Sequence, residues 1–328
     1  MQLLINGKPW DWAGPPRPAT VAALLAARGV PADHVAVAVR GDVLNRELWP
    51  ATELEEGDEV EIVRAVAGGG GDDPLVIGGR TFTSRLFLGT GKYPSLDIAR
   101  ASIAASGSEL VTVAIRYMDF DAPGGGSILD EVDRTRVNLL PNTAGATTAT
   151  QAIRMAKLAR AALGTNWIKV EVIGDQPTLW PDPIGTLEAT RELVAEGFVV
   201  LPYTSQDPVL AMRLEEAGAA TVMPLASPIG SGQGVRDWEG IARIVARVHV
   251  PVVVDAGIGA PSDAALAMEL GASAVLCNTA VAKAGDPVRM AEAMRKAVEA
   301  GRMAFRSGRI PKSAEAQPSS PTAGVVRG

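Results

Sequence analysis

The segment FVVLPYTSQDPVLAMRLEEAGAATVMPLA, residues 198–226, contains one complete copy of the pattern that decides the fold. It begins with an apolar run typical of a buried strand, 198–203. An amphipathic stretch of helical periodicity follows at 207–218 and ends near a glycine. A second apolar run occupies 221–226. A strand, a helix and another strand in this order predict a β-α-β unit with parallel strands.

The same alternation extends over most of the chain. Amphipathic segments that end near glycine separate eight strand-like runs, and eight such units predict a (β/α)8 TIM barrel, which we assign to residues 72–312. A doubly wound sheet is the structural alternative, although that fold rarely needs eight evenly spaced units. The eight runs are LFLGT (86–90), LVTVAI (110–115), VNLLPNT (137–143), WIKVEV (167–172), FVVLPY (198–203), TVMPLA (221–226), PVVVDAG (251–257) and AVLCNTA (274–280).

Three further segments lie outside this pattern. LVIGGRTFTSRL (75–86) predicts a hairpin that turns at Gly78-Gly79 and closes the bottom of the barrel. Residues 1–71 combine an Asn6-Gly7 hairpin signal, a helical stretch, two more strands and a glycine tail, which predicts a small ubiquitin-like β-grasp domain of the α+β class. The polar, Pro/Ser-rich end, 313–328, predicts a disordered tail.

Composition excludes several functional classes. The net charge of −6 argues against sequence-independent binding to nucleic acid, which needs a basic surface. Residues 1–71 carry 6 Lys+Arg against 10 Asp+Glu, which suits docking onto a basic partner but also suits a merely soluble module. The single cysteine, Cys277, excludes an internal disulfide. His34 and His249 have no accompanying ligand cluster, so we expect no metal site.

The start of the chain, MQLLINGKPW, has no basic region followed by a long apolar run, so we expect no signal peptide. No stretch approaches the length of a membrane span. Together with the cysteine count, these features predict a cytoplasmic protein.

The stretch WIKVEVIGD, 167–175, has the most specific pattern for chemistry. Side chains alternate faces along a strand, so Lys169 and Glu171 share one face while Val170 and Val172 share the other. Since the valines suit the helix layer, the lysine and glutamate are predicted to face the lumen. Desolvation there would lower the pKa of Lys169, the condition for an amine that forms a Schiff base. An internal Lys–Glu ion pair is the structural alternative.

Further candidates follow the last three strands. Asp255 ends its strand at the barrel mouth, either as a second acid/base carboxylate or as a loop and helix-capping residue. The glycine-rich loops here are where this fold commonly binds phosphate through backbone N–H groups. We assign Gly230, Ala256, Gly257, Asn278 and Thr279 to that role, with helix capping as the alternative for the polar residues.

Residues 75–312 resemble bacterial thiazole synthase, and residues 1–70 resemble the thiamine sulfur-carrier protein, a β-grasp fold that ends in Gly-Gly. The first resemblance covers nearly the whole barrel, and its motifs are highly specific as a set. They are FLGTGKYPS, LLPNTAG, KVEVIGD, VVLPYTSQDPVLAMRLEEAG, PIGSG, VDAGIGAPSDAA and NTAVAKAGDP. The segment AIRYMDF (114–120) does not align with the usual second-strand loop, which leaves Arg116 and Tyr117 without a role.

The resemblance implies a specific reaction. Lys169 would form an imine with the ketone of 1-deoxy-D-xylulose 5-phosphate, and no tightly bound cofactor would be needed. Glu171 and Asp255 would be the acid/base carboxylates, and the five loop residues would hold the substrate, chiefly its phosphate. Sulfur would arrive as a thiocarboxylate on the carrier, which an E1-like adenylyltransferase and a sulfur donor charge. Another enzyme would supply dehydroglycine. A homo-oligomer, dimeric or tetrameric, is also implied.

The glycine tail, Gly69, Gly70 and Gly71, conflicts with that chemistry, because activation requires a free terminal carboxylate and these residues are amide-bonded to the barrel. Three hypotheses remain. The chain is cleaved after the tail, the carrier domain has lost its sulfur role, or the domain serves only as an interaction module. For the barrel itself, a class I aldolase-like lyase that uses Lys169 on another phosphosugar is the alternative enzyme.

Overall fold

A computed structural model describes residues 1–12, 19–28, 30, 35–64, 73–114, 132–311 and 313–316. The chain divides into two compact units, residues 1–70 with 306–328 and residues 71–305. The predicted glycine tail, the Arg116 loop and residues 317–328 lie outside the described residues. The exact domain bounds 1–71, 72–312 and 313–328 stay predictions.

In its described residues, the small unit is a five-stranded sheet with one helix, which confirms the β-grasp prediction. The elements are β1 (Gln2–Ile5), β2 (Lys8–Asp11), α1 (Val21–Ala27), β3 (Val35–Val39), β4 (Asp42–Leu44), a 3-10 turn (Arg46–Leu48) and β5 (Glu59–Arg64). The strand order is β2-β1-β5-β3-β4. Asn6 and Gly7 both have positive φ, which gives the turn between β1 and β2 the twist that antiparallel hairpins need.

The helix of this unit covers one face of the sheet. Leu24 of α1 packs with Leu3, Val37 and Val60 from the sheet, and all four side chains are fully buried. The hydroxyl of Thr20 caps the first turn of α1 by accepting from the N–H of Ala23 at 3.3 Å. This apolar core gives the small unit its own source of stability.

The large unit is a barrel of eight parallel strands within the described residues, as the spacing predicts. In order around the barrel, they are β8 (Leu86–Gly89), β9 (Leu110–Ala114), β10 (Asn138–Asn142), β11 (Trp167–Val170), β14 (Val199–Thr204), β15 (Met223–Pro224), β16 (Val253–Asp255) and β17 (Ala274–Cys277). Parallel bridges between Val222 and Val252 and between Leu225 and Asp255 close the sheet. Strand β15 is shorter than its apolar run, although Leu225 still donates its backbone N–H to the Thr204 carbonyl of β14 at 3.0 Å.

Among the described residues, the helices lie between strands in sequence or after the last strand, and most begin at a side-chain cap. The remaining helices of the described residues are α2 (Leu96–Ser106), α3 (Ala149–Leu163), α4 (Pro183–Ala195), α5 (Pro208–Glu216), α6 (Trp238–Val245), α7 (Pro261–Glu269), α8 (Thr279–Ala282) and α9 (Pro287–Ser307). Asp182 and Asp207 accept from backbone N–H groups in the first turns of α4 and α5, and a proline follows each cap. A short hairpin, β12 (Ile173–Asp175) with β13 (Trp180–Pro181), separates β11 from α4.

The hairpin of β6 (Leu75–Ile77) and β7 (Arg80–Phe82) packs into the amino-terminal half of the barrel, as the sequence predicts. Leu75, Ile77 and Phe82 are at most 3% exposed and form one cluster with residues of the barrel strands. Phe82 meets Phe87 and Trp167 edge to face, with ring centroids 5.6 and 5.9 Å away. This half of the lumen is therefore filled by apolar side chains.

Candidate active site

The alternation of β11 places Lys169 in the lumen above this apolar layer. Trp167, two residues earlier, belongs to the apolar cluster, while Ile168 and Val170 pack outward against the helices. Lys169 pairs in register with Leu201 on one side and Asn142 on the other. The prediction that Lys169 faces the lumen is confirmed.

Two carboxylates meet around the Lys169 amine in the described part of the chain. Nζ lies 3.2 Å from Oε1 of Glu171, which follows β11, and contacts Oδ2 of Asp255 at the end of β16. Lys169, Glu171 and Asp255 are only 5%, 6% and 3% exposed. The sequence predicts Lys169 and Glu171 in the lumen and Asp255 at the mouth, and the structure brings the three together as one buried cluster, which we call the ion cluster.

The direction of the Lys169 pKa differs from the sequence-based expectation. Burial alone lowers the pKa of an amine, and it is the largest single influence here. Asp255 first and Glu171 second outweigh it through their charges and hydrogen bonds, so the pKa of Lys169 is raised above its ordinary value. The expectation of a lowered pKa is therefore wrong for the resting site, because a second carboxylate lies against the amine.

Burial, only partly offset by Lys169, raises the pKa of Glu171 above its ordinary value, and the charge of Asp255 adds to the effect. With its raised pKa, Glu171 is a carboxylate suited to accept a proton within the ion cluster. The ion cluster can therefore hold a protonated Lys169 between the two carboxylates, with Glu171 placed to accept the lysine proton.

Tyr203 of β14 is a site residue that the sequence analysis does not single out. Its ring centroid lies 5.6 Å from Nζ of Lys169, the side chain is fully buried, and its hydroxyl donates to the carbonyl of Leu179 at 3.4 Å. Burial raises the pKa of Tyr203, so the hydroxyl stays protonated. The period-two pattern that identifies Lys169 also puts Tyr203 on the lumen face, two residues after Leu201.

The loops after β15, β16 and β17 converge beside the ion cluster. A Cβ added to Gly230 would lie 3.6 Å from the Thr279 hydroxyl oxygen, so these two loops are neighbours. Gly257 has positive φ and packs so closely on Ser227 that a Cβ would lie 2.0 Å from its Oγ. Ala256 also has positive φ, at 62°. Only a residue without a side chain fits the contact at Gly257.

Asn278 links these loops to the first strand of the barrel. Its side chain packs against Gly89, where a Cβ would lie 2.6 Å from that of Asn278. Its Oδ1 is buried and has no hydrogen-bond partner in the described part of the chain. Thr279 begins α8, so its backbone N–H has no acceptor within the helix. The five predicted loop residues therefore lie in neighbouring loops at the mouth.

The described residues hold no group of three or more His, Cys, Asp or Glu side chains that could bind a metal ion. In the same residues, no helix is both long and apolar enough to cross a membrane. The Cys277 thiol is buried in the layer outside the lumen, where burial and the charge of Asp255 raise its pKa to about 12.

The fold and the site define a (β/α)8-barrel enzyme with a lysine buried between two carboxylates at the mouth. Residues 76–321 match the family of thiazole biosynthesis protein ThiG, and residues 3–69 match the ThiS family. The chain belongs to the ThiG family and carries a ThiS-family domain before the barrel. Thiazole synthesis in thiamine biosynthesis is the function that this membership supports.

Curated relatives agree over the barrel. Thiazole synthase of Synechococcus sp. (strain CC9902) is 57% identical over 264 residues, which cover 79% of this chain and 97% of the relative. Thiazole synthase of Myxococcus xanthus is 56% identical over 255 residues, 78% of this chain and 98% of the relative. The bifunctional protein ThiO/ThiG of Synechocystis is 56% identical over 78% of this chain, but the match covers only 40% of that relative.

The solved structure of the Amycolatopsis orientalis BexX/CysO complex contains a chain that is 38% identical. The match has a TM-score of 0.67 and covers 74% of this chain and all of the other. The fold of the barrel is therefore shared with an experimentally determined structure.

Proposed function

We propose that this chain condenses 1-deoxy-D-xylulose 5-phosphate, dehydroglycine and carrier-bound sulfur into thiazole phosphate carboxylate through an imine at Lys169. The observation that carries the proposal is the ion cluster, in which one buried amine contacts two buried carboxylates at the open end of a (β/α)8 barrel. Membership of the ThiG family supports the same reaction.

The raised pKa of Lys169 defines the first step. The resting amine is protonated, so it must pass a proton to a carboxylate when the ketone arrives. The free amine then attacks the C2 carbonyl, a C–N bond forms, and the carbonyl oxygen leaves as water after it has taken up two protons. Glu171, with its raised pKa, is suited to accept the first proton and return it to the leaving hydroxyl.

Oδ2 of Asp255 contacts Nζ of Lys169, so this carboxylate would lie against the resulting positive imine and stabilise that intermediate. Both carboxylates contact Nζ of Lys169, so either one would be placed to remove a proton from the carbon beside the imine, the step that isomerises the sugar. Because the amine itself activates the ketone, the reaction needs no tightly bound cofactor.

The converging loops supply the phosphate site in this proposal. Gly230, Ala256, Gly257, Asn278 and Thr279 lie beside Asp255, and backbone N–H groups at glycine-rich turns bind phosphate oxygens. The close packing of Gly257 on Ser227 keeps these loops in one arrangement. The phosphate would then hold the ketone at a fixed distance from Lys169.

Reconstitution tests the proposed reaction. The full chain is incubated with 1-deoxy-D-xylulose 5-phosphate, glycine imine generated in situ, and a separately charged ThiS-family thiocarboxylate. We expect the thiazole product by mass spectrometry, and no product from Lys169→Arg. If the phosphosugar were cleaved instead of condensed, the aldolase-like alternative would replace this proposal.

For the amino-terminal domain, we propose a sulfur-carrier role that requires release after Gly69–Gly71. The match to the ThiS family supports a carrier, and the covalent continuation of the chain prevents charging of the uncut tail. An E1-like adenylyltransferase and a sulfur donor would then act on the freed carboxylate. Intact mass of the protein from its native host tests this: two species divided between Gly69 and Asp72 support release, and a single full-length species in thiamine-producing cells contradicts it.

A further inference from the structure

Thr143 lies where β10 ends, next to the point at which β11 continues toward the mouth. Its backbone N–H donates to the Lys169 carbonyl at 3.1 Å, which is a regular rung of a parallel ladder. The next rung of such a ladder would join the Glu171 N–H to the Thr143 carbonyl. That carbonyl accepts from Ala146 at 3.0 Å instead, because the chain turns away from the barrel wall there.

The Thr143 hydroxyl replaces this missing backbone hydrogen bond. Its Oγ1 accepts from the Glu171 N–H at 2.8 Å and donates to the Glu171 carbonyl at 2.8 Å. Thr143 is fully buried, and its β-branched side chain has few allowed rotamers. One hydroxyl thus holds both backbone polar groups of Glu171.

This contact keeps Glu171 on the lumen face although β11 ends at Val170. With its backbone fixed one residue beyond the strand, Glu171 retains the alternation that begins at Trp167. Its carboxylate therefore lies 3.2 Å from Nζ of Lys169.

We propose that Thr143 is a positioning residue whose hydroxyl aims the Glu171 carboxylate at the Lys169 amine. Its effect on turnover rests on the proposed function. Its effect on the ion cluster does not, and this difference separates the two in the test.

Thr143→Val removes the hydroxyl and keeps the shape of the side chain. We expect kcat to fall about 10- to 100-fold, because a base that is displaced by a fraction of an ångström loses most of its efficiency. KM for the phosphosugar should change by less than about threefold, since the variant leaves the phosphate loops intact. Thr143→Ser, which restores a hydroxyl, should recover most of kcat.

The pKa of Lys169 can be measured by nitrogen-15 NMR in the absence of substrate. A general loss of stability would not change this pKa. Glu171 just after β11, Asp255 from β16 and the ring of Tyr203 from β14 face the amine. When Glu171 is no longer held, one of the two influences that raise the pKa weakens, so the pKa should fall by about one unit. Thr190→Val is the matched control, because Thr190 is equally buried but donates within α4 to the Thr186 carbonyl.

A double variant completes the test. Thr143→Val combined with Glu171→Gln should be no slower than Glu171→Gln alone, because the hydroxyl acts through that carboxylate. Additive losses, or an unchanged Lys169 pKa in Thr143→Val, would overturn the positioning role. If that pKa shifts while the wild-type protein makes no thiazole, the positioning role stands and the proposed function fails.

Discussion

The two halves of the barrel lumen are built from the same strands but differ in what they bury. The amino-terminal half holds Leu75, Ile77 and Phe82 from the hairpin packed on Phe87 and Trp167. The carboxyl-terminal half buries a lysine and two carboxylates, which only their mutual contacts make tolerable. Consecutive lumen positions of one strand, Trp167 and Lys169, thus belong to different halves.

This difference indicates that the two halves of the lumen have different roles, stability in the amino-terminal half and chemistry in the carboxyl-terminal half. Apolar packing is favourable wherever it occurs, so the amino-terminal half contributes stability without a specific charge arrangement. A buried ion cluster is a poor source of stability, so its presence is better explained by chemistry. Substitutions in the two halves should therefore separate turnover from stability.

Lys169→Arg should have the largest effect on turnover. Arginine retains the positive charge between Glu171 and Asp255, but it cannot form the imine. We expect kcat to fall by about 10⁴-fold or more, with the melting temperature little changed. Lys296→Arg, an exposed lysine paired with Glu292, is the control and should keep full activity. Activity of Lys169→Arg within tenfold of wild type would contradict the catalytic role of the carboxyl-terminal half of the lumen.

Phe82→Ala should have the largest effect on stability. The side chain is 3% exposed and touches two other aromatic rings, so its removal should lower the free energy of unfolding by about 3–5 kcal/mol. The kcat of the folded fraction should stay within about twofold of wild type. Denaturant titration measures the loss, with Val76→Ala of the same hairpin, 45% exposed, as the control. A large fall in kcat with unchanged stability would contradict the structural role of the hairpin.

Asp255→Asn should lower kcat by about 10²-fold and shift the pH dependence of imine formation. Asp255 is the foremost of the two groups that raise the pKa of Lys169. Without its charge that pKa falls, and the free amine becomes available at lower pH. The acidic limb of the adduct-formation profile should therefore move to lower pH, as stopped reactions with borohydride can show.

A shift to higher pH in Asp255→Asn would mean that the carboxylate does not hold the proton on Lys169. Asp207→Asn serves as the control, because asparagine can still cap α5 at that exposed position. Its profile should match that of the wild-type protein.

Asn278→Ala should have the smallest effect of the four. Loss of one neutral hydrogen-bonding group at the proposed phosphate site should raise KM for the phosphosugar about tenfold, with kcat nearly unchanged. Asn166→Ala, which alters an exposed amide just before β11 at the opposite end of the barrel, should leave KM unchanged. A KM unaffected by Asn278→Ala would remove Asn278 from the phosphate site.

Periodicity predicts the barrel and much of the ion cluster. The two-residue alternation in WIKVEV places Lys169 and Glu171 on one face, and the end of PVVVDAG places Asp255 at the mouth. Each of these inferences needs only the local strand pattern and the shared direction of the strands.

Local periodicity does not predict contacts between segments that are distant in the sequence. The raised pKa of Lys169 depends on Asp255, 86 positions later, and no local pattern indicates that the two side chains touch. The hydrogen bonds from Thr143 to Glu171 and from Ser227 to the Gly257 carbonyl depend in the same way on the register of neighbouring strands and loops.

The most direct test of the central claim is to locate the covalent intermediate. The full chain is incubated with 1-deoxy-D-xylulose 5-phosphate, reduced with borohydride, digested and mapped by mass spectrometry. A single phosphosugar adduct on Lys169, absent from Lys169→Arg, is the predicted result. An adduct on a different lysine, or none while thiazole is still formed, would contradict the assignment of the ion cluster as the reactive centre.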